Sequence, residues 1–129
     1  MTLDLIALLV LALWTVPLNH LPALARMQTA GVQWALSNRA ENPNIPDWVG
    51  RADRAQRNHL DNLALIATIV LLAHAVGRVD HITAIAAVVI TTSRISHSLF
   101  YLIGQPLARS LSYFVSILAL GAIVLHLWI

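Results

Sequence analysis

Along the chain, long apolar runs alternate with short polar breaks. A bilayer-spanning helix needs about 20 mostly apolar residues, each rising about 1.5 Å. Four runs reach that length: residues 3–25, 54–76, 81–103 and 106–129. The pattern predicts an all-α integral membrane protein, a four-transmembrane-helix bundle forming one domain over residues 1–129, with a polar loop at 26–50. The first run does not read as a cleaved signal peptide, because it lacks a basic start, carries Asp4 and is too long.

Helix punctuation supports these boundaries. Gly77 follows the second run as a C-terminal cap, Asp80 suits the N-cap of the third, Gly104 ends it, and Pro106 suits the first turn of the fourth. Pro17 and Pro22 predict a kink near Asn19 and His20. The breaks after the second and third runs are short, so those neighbours run antiparallel. The loop contains Pro43, Pro46 and turn-forming asparagines.

Composition narrows the class further. Hydrophobic residues make up 58% and charged residues 11%, whereas about a quarter of an average soluble domain is charged. The absence of cysteine excludes disulfides and thiolate metal sites. His74, His81 and His126 are scattered and make no metal-ligand set. A net charge of +2 does not point to nucleic acid, because the arginines flank membrane-length runs without aromatic interleaving. Arginine placement sets the expected orientation. Arg26, Arg39, Arg51, Arg54, Arg57 and Arg109 fall on the side of the long loop, and Arg78 on the other. The loop is therefore expected in the cytoplasm and both termini outside it. Trp14, Trp34, Trp48 and Trp128 read mostly as interfacial anchors. Ser112, Ser116 and Ala119 suit close helix packing.

Polar residues inside the runs carry the candidate chemistry. At about 100° per residue, Arg54, Arg57, Asn58 and Asp61 share an arc of about 100°, with His59 pointing away. Arg94, His97 and Tyr101 share a face of the third run, and Arg109, Ser110 and Tyr113 lie in the first two turns of the fourth. All three sets fall about 5–15 Å below the same membrane surface, from the helical rise. Snorkelling to headgroups accounts for Arg51, Arg57 or Arg109 taken singly. It does not account for Asn58, Asp61, Arg94, His97 and Tyr101 together, which point to a polar cavity. Arg54, Arg57, Arg94 and Arg109 outnumber Asp61, so the cavity should take an anion. Guanidinium groups hold carboxylates bidentately, and Asp61 offers one place for an ammonium. A ligand with two carboxylates and one amine fits. Asn19 and His20 either line the cavity or satisfy backbone freed by the prolines, the second reading being favoured.

These residues carry a family likeness. "RADRAQRNHLDN", then "RISHSLFY" and "RSLSY", resemble the MAPEG family, the membrane-associated proteins of eicosanoid and glutathione metabolism. The likeness spans all four runs and is closest to short bacterial members. The family's Arg-Ala-x-x-Asn-x-x-Glu run reads here as Arg54, Ala55, Asn58 and Asp61, an aspartate standing for the glutamate. The resemblance implies a homotrimer in a bacterial inner membrane, with termini periplasmic and glutathione bound between protomers. Arg54, Asn58, Asp61, Arg94, His97, Tyr101 and Tyr113 would hold the tripeptide, on the face that also carries Arg57. Arg109, with Ser110, would stabilise its thiolate, and no metal is implied. The second substrate would be an apolar electrophile or a lipid hydroperoxide from the bilayer, making the protein a glutathione transferase or peroxidase. Two alternatives stay open: a non-catalytic glutathione- or lipid-binding scaffold, and a small transporter or proton relay using Asp61 and His97.

Overall fold

The computed structural model describes residues 1–129. Four long helices, α1 (Leu3–Ala30), α3 (Asp47–Ala75), α4 (His81–Ile103) and α5 (Pro106–Trp128), are joined by a short α2 (Val32–Leu36) and brief turns. Each long helix has the length and apolarity to cross a bilayer. α1, α3 and α4 pack against one another, while α5 lies chiefly on α4 and touches α3 only lightly. The core comprises Leu11, Ile66, Val70, Ala73, Ala86, Ile90, Leu120 and Ile123. Much of the outward surface is apolar, including Leu65, Leu72, Leu111, Phe114 and Leu118, as a lipid-facing surface should be.

Two boundaries differ from the sequence reading. α1 continues beyond residue 25 to Ala30, and α3 begins at Asp47 rather than near 54, leaving only Gly31 and residues 37–46 outside helices in the long connection. The added turns are polar outside but anchored inside. Arg26 pairs with Asp53 across the two helices, and Val49 and Ala52 are fully buried. α1 also runs unbroken through Pro17 and Pro22. His20 Nδ1 donates to the Val16 carbonyl at 2.8 Å, while Gln56 of α3 donates to Asn19 Oδ1. Asn19 is thus a tie between helices.

The short turns follow their cap residues. After α3, Gly77 adopts φ 71°. Its N–H donates to the His74 carbonyl, and that of Arg78 to the Ala73 carbonyl at 2.8 Å, which is the Schellman pattern. Gly104 repeats it after α4 at φ 75°, with the Gln105 N–H bonded to the Phe100 carbonyl. Asp80 and Thr83 form a reciprocal capping box at the start of α4. Two aspartate–histidine pairs fasten the same end of the bundle: Asp4 with His74 at 2.5 Å, and Asp80 with His126 at 3.0 Å.

Slight desolvation raises the Asp80 carboxyl, but the Thr83 and Ile82 N–H groups, with His126 and His81 nearby, hold it below its ordinary range. A lowered folded value stabilises the protein above the unfolded pKa of about 3.9, and that contribution disappears as pH falls through the folded value. Asp80→Asn should therefore lower the thermal midpoint at pH 7 and have little effect below pH ~3. An equal shift at both pH values in a melting experiment would rule out this coupling.

Candidate functional site

The opposite end of the bundle gathers the polar residues. The Gly104 turn reverses the chain at once, and Pro106, lacking an N–H, starts α5 directly. Arg109 and Tyr113 of α5 are thereby laid beside His97 and Tyr101 of α4. Arg51 of α3 donates from Nε to the Leu102 carbonyl at 3.0 Å, fastening the start of α3 to the end of α4.

Two adjoining cavities result. The outer one, about 220 Å³, is lined by Arg51, Arg54, Phe100, Tyr101, Gly104, Gln105, Pro106 and Arg109. The inner one, about 300 Å³, is lined by Asn58, His97, Tyr101, Arg109, Ser110, Tyr113 and Phe114. Tyr101 and Arg109 belong to both, with the Arg109 guanidinium 4.6 Å from the centre of the Tyr101 ring. That cation–π contact fixes the arginine at the divide. No carboxylate lines either cavity. The three arginines and the positive end of the α5 dipole favour an anion there.

The inner wall is tied together by contacts among its own residues. His97 Nδ1 donates to the Arg109 carbonyl at 2.9 Å. Its ring centre lies 5.7 Å from that of Tyr101 and 5.9 Å from that of Tyr113. Behind this wall Arg94 is only 1% exposed. Its Nη2 donates to the Asn58 carbonyl at 2.9 Å and to Asn58 Oδ1 at 2.7 Å, and its guanidinium lies 5.7 Å from the centre of the Tyr113 ring. Nε and Nη1 have no partner, and no carboxylate lies within ion-pairing distance of Arg94.

Several expected residues are therefore placed differently. Arg94 lines neither cavity; α3 closes over it through Asn58, so it orients that side chain from behind. Arg57 and Asp61 are exposed on the outer surface of α3, outside both cavities, and Asp61 has no ion-pair partner in the chain. Asp61 and Asn58 share a helical arc that straddles the edge of the bundle, so one faces in and the other out. Ser110 lines the inner cavity, but its hydroxyl donates to the Pro106 carbonyl at 2.9 Å, so this rotamer has no proton to offer a thiolate. Trp14 is no headgroup anchor, since its indole nitrogen is closed off from solvent without a partner. His59, on the far side of α3, is buried and shares a hydrogen bond of 3.1 Å with Thr15.

Sequence reasoning missed Arg51, Phe100 and Gln105 as lining residues. Arg51 lies three residues before Arg54, on a helix whose first two turns resembled loop. The signal was the spacing of Val49, Ala52 and Ala55, all fully buried, which continues the inward face of α3.

The sequence model of the MAPEG family matches residues 4–129, nearly the whole chain. The chain belongs to the MAPEG family. No curated protein and no solved structure matches it. MAPEG membership identifies an integral, multi-pass protein of a family of membrane glutathione-dependent enzymes, and the four apolar helices fit that architecture. In MAPEG terms, the two cavities lie where "RADRAQRNHLDN", "RISHSLFY" and "RSLSY" converge.

Proposed function

We propose that the protein is a membrane glutathione transferase with peroxidase capability, joining glutathione to an apolar electrophile or reducing lipid hydroperoxides. The observation that carries this reading is Arg109 at the divide between two carboxylate-free cavities. A guanidinium held there favours a thiolate over a thiol, and the thiolate is the nucleophile. Arg51 and Arg54 supply donors for a carboxylate in the outer cavity, while Asn58, Tyr101 and Tyr113 supply neutral hydrogen bonds in the inner one. The exposed apolar surface of α5, Phe114 included, gives the second substrate an approach from the bilayer. The test is turnover of an aromatic halide and of a lipid hydroperoxide by the purified protein. Glutathione-dependent product is expected. Glutathione binding without turnover of either would support a scaffold, and ion-coupled flux in liposomes without turnover would support a transporter.

The same reading makes the working unit a homotrimer. Arg57 and Asp61 are charged groups on an outward face of a membrane helix, where lipid is a poor environment, and a neighbouring protomer supplies a polar one. Asp61 is then available to the ligand ammonium or to a neighbour's cation. Asp61→Ala should weaken glutathione binding by about tenfold or more, since truncating one partner of a buried hydrogen-bonded charge pair costs about 2–5 kcal/mol. Asp61→Glu should be tolerated. Calorimetric titration decides; unchanged affinity in Asp61→Ala would put the ammonium elsewhere. Native mass spectrometry from mild detergent should show trimers, and monomers alone at high concentration would contradict the assembly.

A further inference from the structure

We infer that an anionic phospholipid binds at the end of the bundle opposite the arginine-lined cavities, with an acyl chain in a groove between α3 and α5 and its phosphate on Arg78.

Because α5 packs chiefly on α4 and touches α3 only lightly, the seam between α3 and α5 stays open near the ends of the two helices. The opening is a cavity of about 420 Å³. Its apolar walls include Ile69 and Leu72 of α3, Val76 at the end of that helix, and Val124 and Trp128 of α5; Arg78 is its one charged lining residue. Arg78 stands in the turn beyond α3, so the charge lies at the membrane-surface end of the groove. From Val76 the wall continues about 10 Å along α3 to Ile69, by the helical rise. Leu72, Val76 and Trp128 are all exposed. An indole at a helix end suits the headgroup level. A cation at the surface with an apolar channel running inward from it is the complement of an amphiphile with an anionic head.

Charge decides the class of that amphiphile. Arg78 is exposed, and no carboxylate of the chain lies within ion-pairing distance of it. The acidic side chains at this end are Asp4 and Asp80, and each is already paired with a histidine, His74 and His126 respectively. The chain therefore leaves the guanidinium for a partner from outside. A basic residue near the surface of an anionic membrane is attracted about fivefold, and a guanidinium holds a phosphate in the fork geometry it also uses for carboxylates.

A second copy of the chain fits the groove less well. It would bring the same end of the bundle, where both acidic side chains are engaged, and so would offer no acidic side chain to Arg78. The charged residues of α3 that call for a neighbouring protomer, Arg57 and Asp61, lie about 12–18 Å from Ile69 towards the other end of the helix. An apolar surface alone does not make such a site either. Leu118 of α5 is 74% exposed, with no arginine within two turns of it on that helix, so it can meet lipid tails without selecting a headgroup.

The experiment is native mass spectrometry of the full-length protein, released from detergent micelles holding equal amounts of phosphatidylglycerol and phosphatidylcholine with identical chains. The wild type should retain phosphatidylglycerol preferentially. Arg78→Gln should lower that preference about fivefold, the worth of one basic residue beside anionic lipid. Val124→Phe, which fills the groove and keeps the arginine, should lower phosphatidylglycerol retention as well. The seat is located with phosphatidylglycerol brominated on its chains. This lipid should quench the emission component that is missing from Trp128→Phe, and quench it less in Arg78→Gln. Equal retention of the two lipids by the wild type, or a preference unchanged in Arg78→Gln, would overturn the site. A preference that survives Val124→Phe would reduce it to attraction of headgroups and overturn the groove. An oligomer that retains neither lipid would give the groove to a second copy and overturn it equally. None of these readouts involves glutathione, so they stand or fall apart from the proposed activity.

Discussion

Arg109→Ala is expected to lower the rate of glutathione conjugation by about 10²–10³-fold, comparable to removing one donor to an oxyanion in other enzymes. Glutathione affinity should change far less. Arg109 stands in the first turn of α5, where the helix N-terminus adds partial positive charge, and its guanidinium is held over Tyr101 at 4.6 Å. Both charges act most strongly on sulfur once it is anionic, so their loss falls on the transition state. The apparent thiol pKa in a pH–rate profile should rise in the variant. Arg54→Ala should show the opposite split, losing affinity with little change in kcat. Equal losses of affinity in the two variants, with an unmoved pH profile, would reduce Arg109 to a carboxylate clamp.

Arg94 should separate stability from binding. It is almost completely buried, lacks a carboxylate partner, and leaves two donor nitrogens unpaired. A buried charge without compensation is costly, and replacing buried ions with apolar groups of similar volume is often neutral or stabilising by about 1–4 kcal/mol. Arg94→Met should therefore fold at least as stably as the wild type. Arg94→Ala should lose about 2–5 kcal/mol, the range for large-to-small truncation of a buried side chain. Both should weaken glutathione binding by about tenfold, because both free Asn58, whose carbonyl and side-chain oxygen Arg94 holds, and one lost hydrogen bond to a ligand of this kind is worth about 1.5–3 kcal/mol when charged. Thermal unfolding and calorimetric titration of the two variants measure the effects. Normal glutathione affinity in a stable Arg94→Met would show that Asn58 needs no such support.

The sequence made the bundle legible because a bilayer imposes length and apolarity on whatever crosses it. The glycine and aspartate caps then placed the turns at Gly77, Asp80 and Gly104 closely, since each depends on a local backbone conformation or a side-chain hydrogen bond. The start of α3 was obscured because Asp47, Arg51 and Asp53 look like loop residues to a hydropathy reading. Only the narrow inward face through Val49 and Ala52 marks them as helix. The motif residues gather at one end of the bundle, but spacing along one helix sets direction and not depth. Arg94 shares a face with His97 and Tyr101, yet it lies deeper, where α3 has closed over the cavity. Arg57 and Asp61 lie on the correct arc but beyond its inward edge. The hydrogen bond from His97 to the Arg109 carbonyl joins two helices and leaves no trace in either segment.

The central claim, that the arginine-lined cavities bind glutathione and hold it as a thiolate, is tested most directly by titrating the purified protein with glutathione while following thiolate absorbance. A saturable absorbance increase at neutral pH, abolished or displaced to higher pH in Arg109→Ala, is the predicted result. Saturable binding with no thiolate signal at any neutral pH, or no binding at all, would contradict it.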